Sequence, residues 1–167
     1  MALDHIRAIS SGHPNIDQWD GLLNEIAPQF GVPPNLAKAH IEYESDGDPN
    51  VVGSSGRGLG LMQIDYGTLK SPSGWVYVSQ HGVCTTPFDP AINIKIGCRD
   101  FIAPNIAAFG DNIEAIVAAY NAGISAVQRA IERGSPMRTV TTDPNYVANV
   151  GTAYLWFCSQ AHKALDK

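Results

Sequence analysis

Ile16, Trp19, Leu22, Leu23, Ile26 and Phe30 recur at intervals of three and four, which predicts an amphipathic helix over roughly 16–30. Gly31 closes it, since glycine takes the left-handed conformation past a helix end without strain. Val32-Pro33-Pro34-Asn35 starts a second helix, with Pro34 tolerated in the first turn, where an N–H would be unpaired anyway. On this helix Ala37, His40, Ile41 and Glu44 share one face, Glu42 points away, and the pattern gives out at Ser45. Farther on, Asp89-Pro90 reads as an N-cap followed by a first-turn proline. Ile92, Ile94, Ile96, Phe101 and Ile102 make the helix after it apolar around much of its circumference, as a helix buried at the centre of a fold is. Pro104 breaks or kinks it. Asp111 is expected to cap another helix, with Ile113, Ile116, Val117 and Tyr120 on one side. Residues 124–133 form a further helix stopped by Gly134. Asp143-Pro144 starts the last, which runs to about Lys163 with Val147, Val150, Tyr154, Leu155 and Cys158 inward.

Between these helices the period changes. Gly53, Gly56, Gly58 and Gly60 punctuate a turn-rich stretch, and from Gly58 to about Val78 short apolar runs are broken by Gly and Pro, as in Tyr66-Gly67 and Ser71-Pro72-Ser73-Gly74. A small hairpin or irregular lobe fits that pattern. Asp46-Gly47-Asp48-Pro49-Asn50 has the look of a calcium loop, but Arg57 stands where the bidentate glutamate belongs, so these residues are read as turns. The predicted architecture is α+β, mainly helical, with one small β element. Residues 1–14 form an N-terminal arm and 15–167 a single domain.

Composition narrows the functional classes. A chain of 167 residues is large enough for a core that needs no metal or staples. No apolar run approaches the length of a membrane span, so membrane insertion is not expected. The start, M-A-L-D-H-I-R-A-I-S, lacks a basic region followed by a continuous apolar stretch, so no signal peptide is visible in it. The net charge of −5, with lysines and arginines dispersed, offers no basic stripe for nucleic acid. Acidity also removes the simplest attraction to an anionic polymer, which gives weight to a neutral polysaccharide. Cys84, Cys98 and Cys158 lack CxxC spacing, which argues against zinc. They leave two arrangements open: one disulfide with a spare thiol, or three buried free thiols. No cofactor and no metal are expected, and a monomer is.

The candidate chemistry sits in the stretch from His40 to Asp65. It holds Glu44 at a helix end, a glycine-rich loop, then Gln63 and a second carboxylate, Asp65. Acid–base cleavage of a glycosidic bond typically uses two carboxyl groups across the bond. Four motifs occur in order: Glu44-Ser45, Gly60-Leu61-Met62-Gln63, Ala119-Tyr120-Asn121-Ala122-Gly123, and the tyrosine of Asn145-Tyr146-Val147. Together they resemble the lytic transglycosylase and goose-type lysozyme group, from about residue 34 to the C-terminal helix. The resemblance implies a lysozyme-like fold, with a cleft between the helical body and the β element. It implies a glycoside-cleaving enzyme acting on peptidoglycan, or on chitin, outside the cytoplasm or at the cell wall.

By spacing alone Glu44 is a solvated helix-end carboxylate, the usual fate of glutamate; the resemblance makes it the general acid. Burial would lift such a glutamate to a pKa of ~6, so that it still carries its proton. Gly60-Leu61-Met62-Gln63-Ile64-Asp65 matches the goose-type form, in which Asp65 would orient a water on the opposite face of the sugar. That is inverting hydrolysis, with carboxyls ~6.5–9.5 Å apart. The plainer reading of Asp65 is a turn aspartate. Transglycosylases of the group use no second carboxylate, because the sugar's own 6-hydroxyl attacks and leaves a 1,6-anhydro end. Inverting hydrolysis of the MurNAc–GlcNAc bond is therefore the first expectation, with a chitinase or a lytic transglycosylase as alternatives and a non-catalytic glycan-binding domain behind them. One departure is Ser54, which stands where goose-type enzymes often have a further aspartate.

The remaining site residues carry paired readings. By resemblance Gln63, Tyr120 and Asn121 line the cleft and Tyr146 hydrogen-bonds Glu44. Their plain alternatives are a loop polar residue, a core aromatic, a helix-end cap and a first-turn aromatic. Ser45 is counted with the substrate-binding residues, although a backbone hydrogen bond at the helix end suits it better than a nucleophile's part. His40 is read as a packed histidine rather than a ligand. Trp75 and Tyr77 alternate as a sugar-stacking edge would, although half-buried packing is commoner.

Overall fold

The computed structural model describes residues 2–66, 70–71 and 74–166. Its regular structure is mainly helical. Helices α1 (Pro14–Asp17), α2 (Asp20–Ile26) and α3 (Pro34–Ser45) precede three hairpins. Helices α4 (Pro90–Ile96), α5 (Ala103–Phe109), α6 (Ile113–Ala122), α7 (Ile124–Glu132) and α8 (Tyr146–Leu165) follow them. The hairpins are two-stranded and antiparallel. They pair β1 (Gly58–Leu59) with β2 (Ile64–Asp65), β3 (Lys70–Ser71) with β4 (Gly74–Trp75), and β5 (Tyr77–Ser79) with β6 (Gly82–Cys84). The turns at Gly67 and Pro72-Ser73 lie outside the described residues.

Several expectations are corrected by local chemistry. The helix over 16–30 is broken at Trp19, whose indole Nε1 donates to Gly47 O at 3.0 Å. Pro28, lacking an N–H, then turns 27–30 into a 3₁₀ stretch. Asn112, not Asp111, caps α6, its Oδ1 accepting from Ala115 N at 3.1 Å. α8 begins at Tyr146 rather than at Pro144, because Asp143 Oδ1 accepts from Asn145 N and makes a separate turn. Leu155 faces outward, 46% exposed, while Tyr154 and Phe157 carry the buried stripe. Pro104 does not end the helical run. Residues Gly97–Ile102 widen into a π-helical turn that joins α4 to α5, so the proline falls in the first turn of the next segment. All three cysteines are free thiols, with Cys98 and Cys158 buried.

The most completely buried helix is α3, although its sequence is less apolar than that of 90–102. Asn35, Lys38 and His40 are all inside, each at 1% exposure or less. Each has a polar atom met by chain distant in sequence. Asn35 Nδ2 donates to Ile6 O at 3.1 Å and Lys38 Nζ to Ile9 O at 2.8 Å. The N-terminal arm is thus strapped along α3 through carbonyls, and Asn24 holds Ala8 in both directions at 2.8 Å. α8 packs along α3 from the other end of the chain, burying Tyr146, Val150, Tyr154 and Phe157 in the common core. That packing sets the last turn of α3 beside the first turn of α8, and the candidate site forms there.

Candidate active site

Glu44 occupies the last turn of α3, and the sequence ends the helix one residue later. Ser45 Oγ turns back to Ile41 O at 3.1 Å and accepts from Gly47 N at 3.2 Å, while Asp46 takes the left-handed conformation at φ 51°. Ser45 therefore serves the helix end with both its donor and its acceptor. Glu44 is left only partly exposed. Burial pushes its carboxyl up to about 7, and a hydrogen bond from Tyr146 pulls back against that rise. A carboxyl in this state holds its proton near neutral pH and can give it up, which suits a general acid.

Tyr146 is the first residue of α8 and is 1% exposed. Its hydroxyl donates to Glu44 Oε1 at 2.6 Å, and on its other side lies His40 Nδ1 at 3.1 Å. His40 lies one helical turn before Glu44 and is fully buried, which lowers its pKa to about 3 and keeps it neutral. Its ring lies over Tyr120 at 4.2 Å, and the tyrosine hydroxyl donates to Met62 O at 2.7 Å. The rings continue on both sides, with Tyr43 edge-on to Tyr146 at 4.8 Å and Phe101 against Tyr120 at 5.6 Å. Tyr43 also donates to Asp143 Oδ2 and so ties the residue before Glu44 to the loop preceding α8. An aromatic floor of this kind excludes water from one side of the carboxyl, and that is the physical source of its raised pKa.

The loop Gly60-Leu61-Met62-Gln63 is fixed from beneath by Asn93 of α4. Asn93 Oδ1 accepts from Met62 N at 2.8 Å, and its Nδ2 donates to Leu59 O at 2.8 Å and Pro87 O at 2.9 Å. Gly60 has φ 74°, and a Cβ there would also crowd Pro87 O at 2.6 Å, so the loop needs glycine at this position for two reasons. Gln63 also has positive φ, 47°, and its Nε2 donates to Val51 O at 3.1 Å and Gly60 O at 3.0 Å. Both amide protons are thus used by the loop itself. Asn93→Ala would strip partners from three backbone groups at once. It is expected to cost about 2–4 kcal/mol in urea unfolding, since each buried polar group left unpaired costs about 1–3 kcal/mol.

The structure gathers Glu44, Tyr146 and Tyr120 around His40 and turns Ser45 back onto the helix end. Asp65 has a different environment. It lies on β2 with its side chain 51% exposed, and Arg57 grips it with two hydrogen bonds, Nε to Oδ1 at 3.1 Å and Nη2 to Oδ2 at 2.8 Å. Asn121 is exposed at the end of α6, where its Oδ1 accepts from Thr142 N at 2.9 Å and holds the loop before α8. Trp75 and Tyr77 are half-buried on different hairpins. Trp75 stands edge-on to Phe88 at 5.6 Å, and Tyr77 donates to Asp100 Oδ2 at 2.9 Å. His40, read from the sequence as a packed histidine, is indeed buried, and Asn93 is the residue the sequence reading passed over. For His40 the signal was present, a histidine four residues before Glu44 on the same face; Asn93 gave none. Among the described residues no group of three or more His, Cys, Asp or Glu could hold a metal.

Comparison with known proteins bears on the family and the fold. A family model described as the transglycosylase SLT domain matches residues 21–140. Among solved structures the chain is similar to the 70 kDa soluble lytic transglycosylase of Escherichia coli, with a TM-score of 0.64 and 25% sequence identity. The match covers 83% of this chain and 24% of that one, so the chain spans about a quarter of the larger protein. The fold is the lysozyme-like one.

Proposed function

The chain belongs to the transglycosylase SLT domain family, and from that premise we propose that it cleaves the β-1,4 MurNAc–GlcNAc bond of peptidoglycan lytically, leaving 1,6-anhydro ends. Glu44 acts alone, first as acid and then as base. Its proton passes to the bridging oxygen as the bond to C1 breaks. The carboxylate so formed then takes the proton of the sugar's 6-hydroxyl as that oxygen attacks C1. One bond breaks and one forms, the acid regains its proton, and no water is consumed. The Tyr146 hydroxyl steadies the intermediate carboxylate by donating to Oε1 throughout. Tyr120 and the Met62 carbonyl it binds form the adjoining wall.

The observation that carries this reading is the contrast between the two carboxylates. Glu44 is desolvated and raised to about 7, whereas Asp65 is half-exposed and engaged by a guanidinium. A base that must hold and deprotonate water is poorly served by a bidentate arginine. Hydrolysis by Asp65, the first expectation from the sequence, therefore becomes the second reading, and its motivation remains the Gly-Leu-Met-Gln-Ile-Asp order. The chitin reading draws no support from the family match. Action at the cell wall follows from the substrate. Residues 15–167 serve as one catalytic domain, with the arm of 1–14 as its strap.

Asp65→Asn separates the two readings. Lytic cleavage predicts turnover of peptidoglycan within about threefold of the parent protein. Hydrolysis through Asp65 predicts a loss of about 10²-fold or more, the usual worth of a general base.

A further inference from the structure

Tyr146 has one proton and two partners, and that inequality assigns a role to the histidine beneath it. The 2.6 Å separation from Glu44 Oε1 is in the range of a hydroxyl donating to a carboxylate, so the proton lies on that side. The 3.1 Å contact with His40 is then a hydrogen bond only if Nδ1 carries a proton and donates to the tyrosine oxygen. The opposite arrangement has Tyr146 donating to Nδ1. Glu44 would then have to place its own proton on Oε1 to keep the 2.6 Å contact, hidden from any substrate. That tautomer would also bury an N–H at Nε2, an atom with no partner among the described residues. A buried orphan donor is the rarer defect in folded proteins.

We propose that His40 is a positioning residue for the acid: its Nδ1–H fixes the Tyr146 hydroxyl as a donor to Glu44 Oε1, which directs the transferable proton of Glu44 to Oε2. Oε2 accepts no hydrogen bond from the described residues and is the oxygen left to meet the glycosidic bond. The proposal rests on the reading of Glu44 as general acid. The relay spans two helices, His40 and Glu44 on α3 and Tyr146 on α8, so it forms only when those helices are docked. Stacking on Tyr120 at 4.2 Å fixes the imidazole plane, which a histidine needs if one particular nitrogen is to face the tyrosine. The titratable groups facing His40 are Tyr120 from α6, Tyr146 from α8 and Glu44 one turn along. Burial holds both tyrosines well above their ordinary range. Glu44 is therefore the group whose titration a change at His40 would reach near neutral pH.

Asparagine at this position carries a donor close to where imidazole Nδ1 lies, leucine carries none, and glutamine places its amide one carbon farther out. The test is the pH profile of kcat and KM on soluble peptidoglycan strands for His40→Asn, His40→Leu and His40→Gln, in the parent protein and in Tyr146→Phe. Leucine is expected to lower kcat by up to about tenfold, the upper end of what one neutral hydrogen bond is worth, with KM nearly unchanged. The alkaline limb should move upward, because the Glu44 carboxylate loses part of its donor's strength. Asparagine should recover kcat to within about threefold and restore the limb. Glutamine should behave like leucine, so the comparison survives if the leucine variant does not fold. In Tyr146→Phe all three substitutions should leave the profile unmoved, since the relay is already cut. The proposal fails if asparagine and glutamine give the same profile, or if their difference persists without the tyrosine hydroxyl. Glu44→Gln, run alongside, keeps the two failures apart. An inactive Glu44→Gln with an unresponsive His40 series removes only the histidine's role, whereas an active one removes the acid on which it rests.

Discussion

Glu44→Gln is expected to lose between about 10²- and 10⁴-fold in turnover of peptidoglycan, the span general acids contribute, while the folded state and glycan binding persist. Glutamine keeps the shape and still accepts from Tyr146 but has no proton to transfer. The same carboxyl should set the pH dependence of the parent protein. Because the acid must be protonated and burial raises it to about 7, kcat/KM should be level in mild acid and fall above about pH 7. Stability should move in the opposite sense to that of an ordinary salt-bridged carboxylate. A folded pKa raised above the unfolded value means the folded state binds the proton more tightly. Stability is then greatest below the unfolded value near 4.5 and declines as pH rises to about 7. Glu44→Gln removes the charge that must be buried, so above pH 8 the variant should unfold at higher urea than the parent, by a margin on the order of 1–3 kcal/mol. A variant that is both inactive and more stable at alkaline pH would mark Glu44 as a site where function is kept at the expense of stability.

Lys38→Ala is expected to give the largest loss of stability, about 3–5 kcal/mol, the range for removing one partner from a buried ion pair. Lys38 is fully buried, its ammonium 2.8 Å from Asp17 Oδ1 and 2.6 Å from Asp20 Oδ1, and 4.9 Å over the Phe157 ring. Without it two partly exposed carboxylates lose their shared cation, and the arm carbonyl of Ile9 loses its donor. Burial acts to raise Asp17, but Lys38 and the donors from Ser10 and Ser11 outweigh it and hold the carboxyl far below its usual range. For Asp20 burial wins, and the pKa is raised. The depressed Asp17 contributes stability above its unfolded value near 3.8, and that contribution is lost as pH falls below it. Asp20 offsets part of this with the opposite sign. The gap between parent and Lys38→Ala should therefore be widest near neutral pH and shrink below about pH 4. Urea unfolding at pH 7 and pH 3 measures both quantities.

The sequence was most legible where the local code is strong. Pro34 at the start of α3, Asp89 before α4 and the glycines after Phe30 and Arg133 placed element ends within a residue or two, because caps and prolines act through their immediate neighbours. The four ordered motifs paired Glu44 with Tyr146, and the two are hydrogen-bonded. What stayed hidden depends on chain far away. Asn35, Lys38 and His40 look like polar interruptions of a helix, yet all three are buried, because their partners are Ile6, Ile9, Asp17, Asp20 and Tyr146. Nothing in the order of residues around Asn93 tells that it clamps a loop thirty residues earlier. Asp65 shows the reverse problem. The hexapeptide ending there suggested a second carboxylate in the chemistry, whereas the short β1–β2 hairpin sets Arg57 against it.

Cleavage by a single carboxyl, Glu44, with the sugar's own hydroxyl as nucleophile would leave an end that hydrolysis does not. Mass spectrometry of the ends left after digesting intact peptidoglycan tests it directly. The expected products are fragments lighter by one water than their hydrolysed counterparts, with 1,6-anhydro ends dominant from the earliest time points and equally so for Asp65→Asn. Reducing ends from the outset, disappearing when Asp65 is changed, would contradict it and return the reaction to hydrolysis.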